Sequence, residues 1–249
     1  MNEPLVLLPG LMCDARLFGP QIAELSADTA VTIAPVTQGE RIEEIASGLL
    51  DQLPARFALA GAGLGGMVAM ELMRRAPDRV RRLALIGTNP HAETPQAAAA
   101  REPLIVAARS GRLREIMQDQ IIPRYAGGLE LDPELAALML DMAEVSGAEV
   151  FLRQSRVLQR RRDQQRTLCQ CKVPALVLCG AQDALFPVER HSFMAELIPN
   201  AQLVVLDGSG HLPTLEQPAE TTRALRHWLS QPRTIGSFRQ TAESIRPST

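Results

Sequence analysis

No long run of apolar residues, no excess of one charge and no cysteine cluster stands out in this chain, and each absence narrows what it can be. Its 26 Lys and Arg against 28 Asp and Glu leave a formal net charge of -2. No global basic field therefore points to nucleic acid or to an anionic membrane surface. No segment approaches the roughly 18 consecutive apolar residues of a membrane helix. The start, Met1-Asn2-Glu3-Pro4, has no basic stretch ahead of a short apolar run, so no signal peptide is expected. The four cysteines are Cys13, Cys169, Cys171 and Cys179, and no second pair or histidine cluster stands near Cys169-x-Cys171 to complete a zinc site. Reduced thiols in a cytoplasmic protein are the expectation. There is no internal repeat and no glycosylation sequon. A small molecule or a protein is the partner this composition favours.

With 249 residues, 46% hydrophobic and 22% charged, the chain can build one large α/β domain, or such a domain with an insertion. Leu5-Val6-Leu7-Leu8 is an unbroken apolar run closed by Pro9-Gly10, and Val31-Thr32-Ile33-Ala34 is a second, β-branched run. Over 41–53, Ile42, Ile45, Ala46, Leu49 and Leu50 recur at helical spacing. A strand over 57–60, a helix over 66–75 stopped by Pro77, and a strand over 80–86 follow, ended by Gly87-Thr88-Asn89-Pro90. From 91 to 166 the β-branched runs vanish. Breakers at Pro103, Gly111, Pro123, Gly127-Gly128, Pro133 and Gly147 divide that stretch into several short helices. The alternation resumes with a strand over 175–179, a helix over 187–197, a strand over 203–206 and a helix over 218–229. Continuous apolar strands between amphipathic helices imply an α/β fold, a mostly parallel sheet with helices on both faces. The expected division is an α/β core over 1–90 and 167–230, an all-helical insertion over 91–166, and a polar tail over 231–249 with few apolar anchors.

One further absence is local. Gly61-Ala62-Gly63-Leu64-Gly65-Gly66, between a short apolar strand and a helix, has the shape of a nucleophile elbow, G-x-S-x-G, with glycine at the serine position. Such a turn strains a residue bearing a Cβ by about 1–3 kcal/mol. Glycine removes that strain, although it loses more chain entropy on folding. It supplies no attacking oxygen.

Three other motifs occur in the matching order. Pro9-Gly10-Leu11 stands where a His-Gly-x loop is usual, with proline in place of histidine. Gly180-Ala181-Gln182-Asp183-Ala184-Leu185-Phe186-Pro187 fits G-x-x-D-x-x-x-P, and Gly208-Ser209-Gly210-His211 with Glu216-Gln217-Pro218 fits G-x-G-H followed by E-x-P. By these motifs the chain, from Leu5 to about residue 229, resembles the α/β-hydrolase-fold family of the esterase type, with a helical cap inserted after the strand over 80–86. The resemblance implies His211 as general base, Asp183 as the carboxylate fixing its ring, and Gly63 at the nucleophile position. It implies the backbone N–H groups of Leu11 and Leu64 as the oxyanion hole. It also implies a small-molecule acyl ester, thioester or lactone as substrate, and neither a metal nor an organic cofactor.

Plainer readings exist for each part. Gly65-Gly66 can serve tight packing of helix on strand, Asp183 can cap a turn, and His211 can be a hydrogen-bonded surface histidine. Three functions stay open: an esterase inactivated by Gly63, a nucleophile-free enzyme using the His211 and Asp183 pair as general base, and a non-catalytic small-molecule-binding pseudoenzyme. Cys13, Thr88 and Ser209 are the other candidate nucleophiles, against a buried small thiol and turn hydroxyls bonded to local backbone. Tyr125, Met139, Met142 and Phe151 are candidates for lining an apolar pocket, against plain core. Arg153, Arg156, Arg160, Arg161, Arg162 and Arg166 are candidates for meeting an acidic carrier protein or a carboxylated substrate, against a solvated helix face.

Overall fold

The computed structural model describes residues 3–127, 130 and 132–232. Gly128, read above as part of a breaker, and the tail from 233 on lie outside the described residues. Six strands form one parallel sheet: β1 (Leu5–Leu8), β2 (Val31–Ile33), β3 (Phe57–Ala62), β4 (Val80–Ile86), β5 (Ala175–Gly180) and β6 (Ala201–Leu206), ordered β2-β1-β3-β4-β5-β6. Every residue of β1, β3 and β5 is buried. Unbroken apolar strands require that, because both faces must be covered.

The helices are α1 (Gly19–Leu25), α2 (Ile42–Leu50), α3 (Leu64–Arg75), α4 (Pro95–Arg109), α5 (Leu113–Ile116), α6 (Ile122–Ala126), α7 (Pro133–Ser146), α8 (Ala148–Arg160), α9 (Gln165–Cys169), α10 (Val188–Leu197), α11 (Pro213–Glu216) and α12 (Pro218–Ser230). A π-helical turn, Met117–Ile121, joins α5 to α6. Around the sheet, α1 lies against α12 and α2 against α3. Between β4 and β5 every regular element is helical.

Several boundaries depart from the sequence pattern for physical reasons. Pro103 does not break the chain but lies inside α4, where exposed proline removes one intrahelical donor while buried Ile105 and Ala108 anchor the turns beyond it. Strand β6 starts at Ala201 rather than 203, because Ala201 and Gln202 pair with Ala175 and Leu176 of β5. Helix α3 starts at Leu64, directly after Gly63. The short helices α1 and α11 are additional to the expected set, and each opens on a proline in its first turn.

Strand order reverses between β1 and β3, since the chain leaves β1 outward to β2 and returns on the other side. A crevice opens at such a switch point, outside the carboxyl ends of the strands. The loop after β1, with Gly10 and Leu11, and the turn after β3, with Gly63, both belong to that crevice. Close approach there demands glycine at 65, where a Cβ would fall 2.1 Å from the Leu8 carbonyl oxygen.

Candidate active site

Gly63 occupies the turn between β3 and α3 with φ +51° and ψ -116°. Its N–H donates to the Ile86 carbonyl at 2.9 Å, and its carbonyl accepts from Gly66 N at 3.1 Å and from the Thr88 hydroxyl at 2.7 Å. The Thr88 N–H in turn donates to Nε2 of fully buried His191 at 3.2 Å, while His191 Nδ1 stands 3.3 Å from the Pro187 carbonyl. That pattern puts the ring proton on Nδ1. Burial pushes the His191 pKa down and so favours the neutral ring that can accept at Nε2. The Thr88 hydroxyl is therefore spent on the elbow itself, 25 residues away, rather than on its own turn.

His211 and Asp183 come together. His211 Nδ1 lies 2.9 Å from Asp183 Oδ2, and Asp183 Oδ1 accepts from the N–H groups of Leu185 at 2.9 Å and Phe186 at 3.0 Å. Burial opposes the charge on Asp183, but the His211 and backbone partners outweigh it and hold the carboxyl below its ordinary range. An ionised Asp183 keeps the proton on His211 Nδ1 and leaves Nε2 as the basic nitrogen. The ring is fixed on both sides, by Tyr125 at 4.7 Å and by the edge of Phe186 at 5.6 Å. Its backbone N–H donates to the Tyr125 carbonyl at 2.9 Å. Glu216 braces the approach to His211, accepting from Ser209 Oγ at 2.8 Å and Leu212 N at 3.1 Å. Ser209 is thereby engaged as a structural hydroxyl.

The two glycine and histidine halves meet at one point. A Cβ on Gly63 would sit 3.6 Å from His211 Nε2, 3.7 Å from Gly10 Cα and 4.0 Å from the Gly87 carbonyl oxygen, all ordinary contact distances. A hydroxyl one bond beyond that Cβ can reach Nε2. Gly63, His211, Leu11 and Leu64 line one cavity of about 280 Å³. Leu64 opens α3, so its N–H belongs to the first turn and lacks an intrahelical acceptor. Beside Leu11, Met12 has φ +54°, alone among the described non-glycine residues in being positive. Its N–H donates to Gln154 Oε1 at 2.9 Å, and Gln154 Nε2 donates to the Val36 carbonyl at 3.1 Å. A buried glutamine of α8 thus fixes the loop after β1.

Cys13 lines the same cavity, but burial, then the nearby charge of Asp14, pushes its thiol up to about 12. A protonated thiol 3.4 Å from the Leu11 carbonyl is no activated nucleophile. Tyr125 lines the cavity, whereas Met139, Met142 and Phe151 are buried core away from its wall. In the arginine-rich segment Arg160, Arg162 and Arg166 are exposed, and most of the arginines have protein partners. Arg156 pairs with Glu102, Arg160 with Glu40 and Arg162 with Glu43, Arg153 donates to the Thr37 carbonyl, and Arg161 is buried against Glu93. Among the described residues no group of three or more His, Cys, Asp or Glu is placed to hold a metal ion, and no helix is long and apolar enough to cross a membrane.

A parallel sheet with a glycine elbow at its switch point and a His–Asp pair at neighbouring strand ends is the architecture of a hydrolase scaffold. The chain belongs to the alpha/beta hydrolase family, whose model matches residues 5–224. Its relatives are esterases and related hydrolases. A pimeloyl-[acyl-carrier protein] methyl ester esterase of Aromatoleum aromaticum is 30% identical over 88% of this chain and 96% of its own length. A putative carbamate hydrolase of Pseudomonas savastanoi pv. phaseolicola is 26% identical over 91% and 93%. Among solved structures, a thermophilic esterase from Thermogutta terrifontis superposes with a TM-score of 0.83 at 27% identity, over 92% of this chain and 90% of that one. The enol-lactonase of Burkholderia xenovorans LB400 gives 0.81 at 25% identity, over 93% of each chain.

Proposed function

We propose that this chain is a carboxylic ester hydrolase, acting on an ester, thioester or lactone, that Gly63 has deprived of its nucleophile. The observation that carries this reading is the aim of the Gly63 Cα–Cβ direction at His211 Nε2, with Asp183 behind the ring. With serine at 63, Oγ would attack the acyl carbon while Nε2 takes its proton, and the N–H groups of Leu11 and Leu64 would hold the oxyanion. His211 would return the proton to the leaving alcohol and then draw one from the water that releases the acid. With glycine, attack has no oxygen to start from, and substrate binding is what remains. In the same reading, helices α4 to α8, within 91–166, cap the core over 1–90 and 167–230, and the four free cysteines suit a cytoplasmic setting.

A second reading has His211 activate water directly, and the open Nε2 beside Gly63 favours it over a site with no chemistry at all. Short-chain p-nitrophenyl esters separate the two. Gly63→Ser should gain hydrolysis that His211→Ala removes, while the unmodified chain stays at background. His211-dependent turnover by the unmodified chain would favour the water-activating enzyme instead.

A further inference from the structure

The cavity that holds Gly63 and His211 also holds more positive charge than its own acid neutralises. Arg101, Arg124 and Arg161 line it, and Glu93 is the carboxylate among them. Glu93 accepts from Arg161 at 2.8 and 3.0 Å, and from Arg101 Nε at 3.0 Å. Arg161 spends its third nitrogen on the His91 carbonyl at 2.9 Å, so its fork is used up inside the protein. Arg101 spends only Nε. Its two terminal nitrogens have no protein acceptor among the described residues, and its side chain is 24% exposed within the lining. Arg124 likewise has no acceptor among them. Arg101 shares the lining of this cavity with Tyr125, the ring packed on His211.

A guanidinium in a cavity lining whose two terminal nitrogens have no protein acceptor among the described residues can match a carboxylate bidentately. The bridge through Glu93 to buried Arg161 orients that fork and prevents it from collapsing onto the protein. Elsewhere the wall is apolar, with Leu17, Met67, Ile121 and Leu158, and the volume of about 280 Å³ admits only a small ligand. We propose that Arg101, held by the Glu93–Arg161 pair and supported by Arg124, forms a carboxylate-binding subsite in this cavity. The substrate class is then a small half-ester or lactone carrying a second, free carboxylate. The ester half of this inference rests on the proposed hydrolase function, and the carboxylate half does not.

Calorimetric titration of the unmodified chain with monomethyl glutarate and with neutral dimethyl glutarate tests the subsite without any turnover. The half-ester should bind about tenfold tighter or more, as expected for a charge-assisted bidentate pair. That ratio should fall towards one in Arg101→Gln, a partly buried position whose change leaves the Glu93–Arg161 pair in place. Equal affinities, no binding of the half-ester, a preference that survives Arg101→Gln, or tighter binding of inorganic phosphate than of the half-ester would each overturn the proposal. Gly63→Ser kinetics keep the two claims apart. Hydrolysis of both esters with equal kcat/KM removes the subsite alone, whereas selective binding of the half-ester without any hydrolysis removes the hydrolase reading alone.

Discussion

His211 Nε2 lies 3.6 Å from the place a Cβ on Gly63 would take. The elbow keeps this aim although glycine frees it to relax, because Ile86 and Thr88 hold Gly63 at both its N–H and its carbonyl. Nothing around position 63 has closed over the missing side chain. A serine there would find His211 Nε2 within reach, Asp183 behind the ring, and room for its side chain.

Restoring that side chain should cost stability. A residue with a Cβ at φ +51° is strained by about 1–3 kcal/mol, partly offset by the smaller entropy loss of a non-glycine residue. Gly63→Ser should therefore melt roughly 2–4 °C lower, the shift that about 1 kcal/mol produces in a domain of this size. Calorimetry checks this, and a higher melting temperature would show that the elbow is not strained.

Thr88→Val removes the hydroxyl donated to the Gly63 carbonyl at 2.7 Å while keeping the shape of the side chain. The buried carbonyl loses one partner, at a cost of about 1–2 kcal/mol in urea denaturation. In the Gly63→Ser background the same change should lower kcat more than it raises KM, because it loosens the nucleophile's backbone. An unchanged kcat would separate Thr88 from the site.

Acid stability should depend on Glu71, buried on the helix that follows the elbow. Burial opposes its charge, yet hydrogen bonds from Arg74, Arg75 and Gln164 outweigh it and bring its pKa from 4.5 to about 2. A folded-state pKa below the unfolded one stabilises fully above the unfolded value and is lost as pH falls from about 4.5 towards 2. Glu71→Gln should forfeit about 3 kcal/mol near neutrality and show a shallower loss of stability through that acid window. Equal acid slopes in the two proteins would contradict the assignment.

Thiol chemistry distinguishes Cys13 from a cryptic nucleophile. Only Cys169 is exposed, while Cys13, Cys171 and Cys179 are buried, and burial pushes each of these three thiols up. A thiol reagent should label Cys169 rapidly and the others only on unfolding. Fast labelling of Cys13 in the folded chain would reopen it as a reacting group.

Much of the sheet was legible in the sequence because β1, β3 and β5 are unbroken apolar runs that only a doubly covered sheet can bury, and β4 carries such a run from Leu83 to Ile86 after Arg81 and Arg82. Asp183 and His211 were legible because their motifs follow strand ends, where the parallel sheet brings them within 2.9 Å. The supports of the elbow were not. Thr88 meets His191 across 103 residues and Met12 meets Gln154 across 142, and no local pattern encodes such a pairing. Arg161 was hidden among surface arginines. It follows the end of α8 with an extended backbone, ψ +140°, and so leaves the helix face on which its neighbours stand.

The central claim is that one missing hydroxyl separates this chain from a working ester hydrolase. Single-turnover and steady-state hydrolysis of p-nitrophenyl butyrate by Gly63→Ser, beside the unmodified chain and the doubly substituted Gly63→Ser with His211→Ala, tests it most directly. The account predicts a burst and turnover in Gly63→Ser, and background rates in the other two proteins. A folded Gly63→Ser protein that stays at background would contradict it.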